Sequence, residues 1–195
     1  MKLMRKHKFL PHYLNMIPDN DRVSIISLAH HEAGHAIFCW RNDFSLGRFG
    51  VSMNPHDRIG LCTQQWIMEK TKHAHLYETL RPEEEFVYTD LEFLISGPAA
   101  QDRYLKSISK PPCGFGSSRT DYDAAKYIVE KKWRTFNSDK RLREEYRRVS
   151  RLLDHPRTWK AVEEVANALL KFQYLNNEQV VAIIEKIEPP KRKSF

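Results

Sequence analysis

Ile25, Leu28, His31, His35 and Phe38 recur at three- and four-residue steps, and Pro18-Asp19-Asn20-Asp21 ahead of them has the composition of a helix start. This pattern predicts a helix ending near Trp40. From Gly47 to Trp66 the texture changes to short apolar runs, Phe49-Gly50-Val51 and Ile59-Gly60-Leu61, around Asn54-Pro55-His56-Asp57. Such runs flanking turn residues predict a hairpin, the one good β signal in the chain. Pro82 followed by Glu83, Glu84 and Glu85 opens a second helix carrying Phe86, Leu91, Leu94 and Ile95. Lys110 to Gly116 reads as a loop, and Ser118 to Phe136 as a third helix through Ala125, Ile128 and Val129. Three more follow: Leu142 to Leu153, interrupted at His155-Pro156, then Trp159 to Phe172, then Asn177 to Ile187.

The expected fold class is therefore mainly α, a compact helical domain with one small β-hairpin or sheet beside the first helix. A chain of 195 residues suits one domain with a real core. The division reads as a basic extension over residues 1–20, the folded domain over 21–187 and a basic, proline-containing tail over 188–195.

Charge adds little to this picture. The formal excess of +7 would favour anionic partners if gathered on one face. Yet Lys131, Lys132 and Arg134, and Arg147, Arg148 and Arg151, sit at helical spacing among acids such as Glu144 and Glu145, as on solvated helix faces. Cys39, Cys62 and Cys113 are far apart with no CxxC pair, so neither a disulfide framework nor a thiolate zinc site is indicated. Met1 to Leu14 lacks the apolar run of a signal peptide, and no stretch has the length of a membrane span. A cytoplasmic protein with no membrane partner is the expectation.

The chemistry lies in His31-Glu32-Ala33-Gly34-His35, an HExxH sequence. Residues four apart on a helix stand one turn above each other, so two imidazoles can grip one ion. One zinc ion (Zn2+) held this way keeps an open position and lowers the pKa of water there to about 7, and the adjacent glutamate can take its proton. His31 and His35 are thus expected as ligands and Glu32 as general base. Gly34, mid-helix at a cost of about 1 kcal/mol relative to alanine, implies that something approaches closely. His30 points off the shared face and is read as a bystander.

A third protein ligand is required. Phe38 and Arg41 stand where a metzincin would have glycine and histidine, and no glutamate occurs between Glu32 and Glu69 to serve a thermolysin-like site. Asp121 shares a helix face with Ala125 and Ile128, whereas Asp123 lies about 200° around and should see solvent. Two roles fit Asp121: third ligand, or the closing residue of a capping box begun by Ser118. Two imidazoles and a carboxylate suit zinc, and iron, cobalt and manganese take the same donors.

Ala29-His30-His31-Glu32-Ala33-Gly34-His35-Ala36 resembles the signature of the zinc peptidase domain of the FtsH family of AAA proteases. Val51 to Gln64 is similar to that family's strand pair, and Ile95-Ser96-Gly97-Pro98-Ala99-Ala100-Gln101 to its Gly-Arg-x-Ala-Glu helix. Gly116 to Ala125 resembles the segment whose aspartate, here Asp121, is the third zinc ligand; Ala168-Leu169-Leu170, Leu175 and Glu178 echo its closing helices. The resemblance implies a mostly helical domain that cleaves unfolded polypeptides held as an extended strand against the hairpin. Val51, Ser52, Met53, Gly60, Leu61, Cys62 and Thr63 would then contact substrate. The sequence also departs from the family. There is no ATPase loop or anchor ahead of the motif, Pro98 stands for an arginine and should kink its helix, and Gln101 stands for a glutamate.

The leading expectation is an ATP-independent zinc endopeptidase acting on unfolded or flexible polypeptides, with a separate ATPase or a homo-oligomer as possible partners. The alternative is a non-catalytic zinc-containing binding or adaptor module of the same fold. A nucleic-acid-binding role finds no motif in its support.

Overall fold

In a computed structural model, which describes residues 18–42, 45–65, 83–114, 118–132 and 137–188, the spaced histidines lie on α1 (Asp19–Arg41). Asp19 and Asp21 complement its N-terminal dipole and Arg41 its C-terminal end. Every residue from Ala29 to Cys39 is buried. The stripe legible in the sequence is only one of several buried faces, because helices and the hairpin pack on more than one side of α1.

Beside it, β1 (Ser45–Asn54) and β2 (Ile59–Gln65) form the expected antiparallel hairpin. Its turn is held by Asn54, whose Oδ1 accepts from the backbone N–H of His56 at 3.0 Å. The register slips between Leu46 and Val51, around Gly50 with φ of +60°. A Cβ there would stand 2.3 Å from the Leu175 carbonyl oxygen, so this bulge makes room for a third strand. That strand, β3 (Tyr174–Leu175), pairs antiparallel with β1 and gives the order β2-β1-β3. The small sheet allowed for by the sequence is thus present, although only its hairpin could be located there, since two residues carry no alternation to detect.

The remaining helices among the described residues are α2 (Glu83–Ser107), α3 (Arg119–Lys132), α4 (Ser138–Leu153), α5 (Pro156–Phe172) and α6 (Asn177–Glu185). The protein is thus mainly helical with a small three-stranded antiparallel sheet. α4 begins four residues before Leu142 because Asn137 caps it, accepting from Lys140 N at 2.9 Å. α5 opens on Pro156 and ends at Gln173, which takes a left-handed φ of 61°. α6 opens with a reciprocal box between Asn176 and Gln179. α2 continues through Pro98 without interruption. The N-terminal residues 1–17, Pro82, 133–136 and the tail from 189 lie outside the described residues.

α1 and α2 approach closely because Gly34 has no side chain. A Cβ there would come within 2.4 Å of the Ser96 carbonyl oxygen and 2.8 Å of Ala100 Cβ. Ile37, Phe38, Leu91, Ile95, Val51 and Leu169 close the core around this contact. On α4, Arg147 and Arg151 face solvent as expected, but Arg148 turns inward to Glu92 of α2 at 2.5 Å and to Glu145 at 2.7 Å. Among the described residues no helix is long and apolar enough to cross a membrane.

Candidate metal centre

Two helices deliver the three candidate ligands. α1 stacks His31 under His35; α3 begins at Arg119, so Asp121 stands in its first turn with its carboxylate turned toward them. Ser118 does act as a cap, its Oγ accepting from Asp121 N at 3.3 Å. This is a simple N-cap: closing a capping box would take the Asp121 carboxylate back to the Ser118 N–H, whereas its Oδ2 faces His31 and His35. Asp123, as expected, is exposed.

His31 Nε2 lies 3.1 Å from His35 Nε2 and 3.1 Å from Asp121 Oδ2, and His35 Nε2 lies 3.4 Å from the same oxygen. Tetrahedral zinc with bonds of about 2.0–2.1 Å places its ligand atoms about 3.3–3.4 Å apart. The triangle fits an ion of that size, and His31, His35 and Asp121 form a group that can hold a metal ion. Proton bookkeeping points the same way. His35 Nδ1 faces the Phe93 carbonyl oxygen at 2.7 Å and must donate to it, so the Nε2 of a neutral ring carries a lone pair. His31 Nδ1 faces Gln101 Oε1 at 3.1 Å. With both rings in that tautomer, lone pairs on two imidazoles and a carboxylate converge, an arrangement suited to a cation.

α2 supplies the floor of the site. A Cβ on Gly97 would come within 2.3 Å of His35 Nε2 and 2.8 Å of His31 Nε2, so only glycine lets this helix lie against both rings. Glu32 projects against β2, where a Cβ on Gly60 would stand 2.2 Å from its Oε1. Its Oε2 is buried and has no hydrogen-bond partner among the described residues.

Burial pushes the Glu32 carboxyl up to about 7, aided by the charge of Asp121 and opposed by His31. A cation among the three ligands would draw it back down. For Asp121 burial acts upward as well, but the contacts to His31 and His35 outweigh it and hold the carboxylate well below its usual range. His30 is buried outside the triangle, stacked on Tyr104 at 4.3 Å and near Trp159 at 5.6 Å, with Nδ1 on the Ile26 carbonyl oxygen at 2.8 Å. Desolvation lowers its pKa to about 4, so it stays neutral and is a packing residue.

The seven residues expected to contact substrate divide. Val51 and Met53 are buried on β1, the central strand, which β3 already occupies at Val51 and Ser52. They belong to the core, and β1 offers no free edge there. Gly60, Leu61, Cys62 and Thr63 lie on β2, an edge strand among the described residues, with Leu61 exposed; the Thr63 side chain lies outside the description. Cys62 adjoins Cys39, and burial, then that neighbour, pushes its thiol pKa up, so it remains a neutral thiol. Sequence reading treated Gln101 as a departure and assigned no role to Gly97 or Ser27. Gly97 could have been suspected because, like Gly34 on α1, it is a glycine inside a predicted helix.

The chain matches no protein-family model, and comparison with curated proteins gives no significant match.

Proposed function

We propose that this protein is a zinc metallo-endopeptidase that hydrolyses unfolded or flexible polypeptides without ATP coupling in this chain. The observation that carries the reading is the convergence of His31 Nε2, His35 Nε2 and Asp121 Oδ2, with Glu32 close enough to feel the charges of His31 and Asp121 and its Oε2 without a hydrogen-bond partner among the described residues. The likeness of the surrounding motifs to the FtsH peptidase signature supports it. When bound, zinc supplies a Lewis acid that polarises a carbonyl and acidifies water.

The chain's residues account for the rest. Glu32 takes a proton from the attacking water and returns it to the leaving amine; burial raises its carboxyl and so opposes the downward pull of the cation. Gly60 keeps β2 flush against Glu32, so a peptide added to the edge of β2 that no described strand pairs with passes the base. Ile59 and Leu61, both exposed on that strand, offer apolar contact to an extended substrate.

The test is incubation of the zinc-loaded chain with an unstructured protein, beside Glu32→Gln, with fragments read by mass spectrometry. Cleavage by the native chain alone, with one zinc in both, is the expected result. Two zinc-loaded proteins that leave the substrate whole would refute the enzyme and favour the binding-module reading.

A further inference from the structure

Gln101 stands on α2 with its side-chain amide between α1's His31 and Ser27. Its Oε1 is 3.1 Å from His31 Nδ1, and its Nε2 is 3.4 Å from Ser27 Oγ. Ser27 is itself buried, and its Oγ lies 2.9 Å from the Ser24 carbonyl oxygen. These contacts fix every proton in the chain of bonds. The Ser24 carbonyl can only accept, so the single Ser27 hydroxyl proton is committed to it. Ser27 Oγ then has only lone pairs to offer Gln101, which must present its NH2 group there and its Oε1 to His31. Turning the amide over would set Oε1 against a filled hydroxyl oxygen and NH2 against Nδ1. His31 must therefore carry its proton on Nδ1, which leaves Nε2 free at the centre of the triangle.

We propose that Ser27 and Gln101 are positioning residues that together hold His31 in its metal-accepting tautomer, an amide standing in where a carboxylate would need no such help. A carboxylate is an acceptor from either oxygen and enforces Nδ1–H on its own. An amide does so only if something fixes which end faces the ring, and Ser27 is that something. This inference rests on the metal reading above. It makes Ser27 matter when residue 101 is glutamine and cease to matter when it is glutamate.

The experiment measures zinc affinity of the full chain by competition with a chromophoric chelator, for native, Gln101→Leu, Gln101→Glu, Ser27→Ala and the Ser27→Ala/Gln101→Glu double variant. Circular dichroism of each confirms the fold. Gln101→Leu should bind zinc about 10–100-fold more weakly, the usual loss for an outer partner of a ligating histidine. Gln101→Glu should bind at least as tightly as native. Ser27→Ala should weaken binding about fivefold, the worth of one hydrogen bond, in the native background and not at all beside Gln101→Glu. Equal losses in both backgrounds, or Gln101→Leu within about twofold of native, would overturn the proposal while leaving the metal site standing. Should the native chain take up no zinc, the metal reading fails by itself, and nitrogen-15 NMR of the metal-free chain decides the relay. A His31 Nδ1 proton that is lost in Gln101→Leu supports it, and an unprotonated Nδ1 in the native chain refutes it.

Discussion

Gly97→Ala separates the stability of the fold from the integrity of the centre. The added Cβ would lie 2.3 Å from His35 Nε2 and 2.8 Å from His31 Nε2. Optimal contact for such atoms is about 3.5 Å, so the first nitrogen must retreat by about 1 Å and the second by about 0.7 Å, or α2 must move off α1. Overpacking of this kind costs about 1–3 kcal/mol, while replacing glycine by alanine within a helix returns about 1 kcal/mol. The net loss of stability is therefore small, about 0–2 kcal/mol by the same figures. Metal sites tolerate only about 0.2 Å in ligand distance, so zinc affinity should fall by about 100-fold or more. Competition titration with a chelator reads the affinity, and urea denaturation of the metal-free chain reads the stability. A Gly97→Ala protein that binds zinc within about threefold of native would refute the claim that α2 lies against the ligand atoms.

Acid should weaken the fold through His30. Its pKa is about 4 in the folded chain against 6.5 when unfolded, so the unfolded state takes up the proton first as pH falls. The stability it contributes is whole above pH 6.5 and is lost between there and pH 4, about 3 kcal/mol in all. His30→Phe, which keeps the stack on Tyr104, should flatten the urea midpoint over that interval relative to native. An unchanged slope would show that His30 is not the sensor; Glu32, raised by burial, acts with the opposite sign in both proteins and cancels in the comparison. Gly60→Ala should press on the Glu32 carboxylate from 2.2 Å and lower peptide hydrolysis at least about tenfold with zinc retained, since the base loses its aim and the ligands do not. Peptidase rate and bound zinc, measured on the same sample, check it; loss of both together would contradict the separation.

The order of helices was legible because each carries its apolar positions at local spacing, and so was the hairpin, whose two runs flank a turn held by Asn54. His31, Glu32 and His35 were legible for the same reason, as a helix fixes the relation of residues four apart by itself. Asp121 could be narrowed to two roles by its helix face, but not decided, since its distance to His31 spans 90 positions of sequence. β3 was invisible: its two residues pair only because the bulge at Gly50 admits them. Likewise, Val51 and Met53 are buried because helices pack on that face of β1, while β3 closes its far edge and leaves β2 as the edge strand among the described residues. Gln101 looked like a lost carboxylate until the structure set it between Ser27 and His31. Local spacing is written in the chain, whereas the direction of a proton along Ser24, Ser27, Gln101 and His31 depends on two helices meeting, and only tertiary packing decides that.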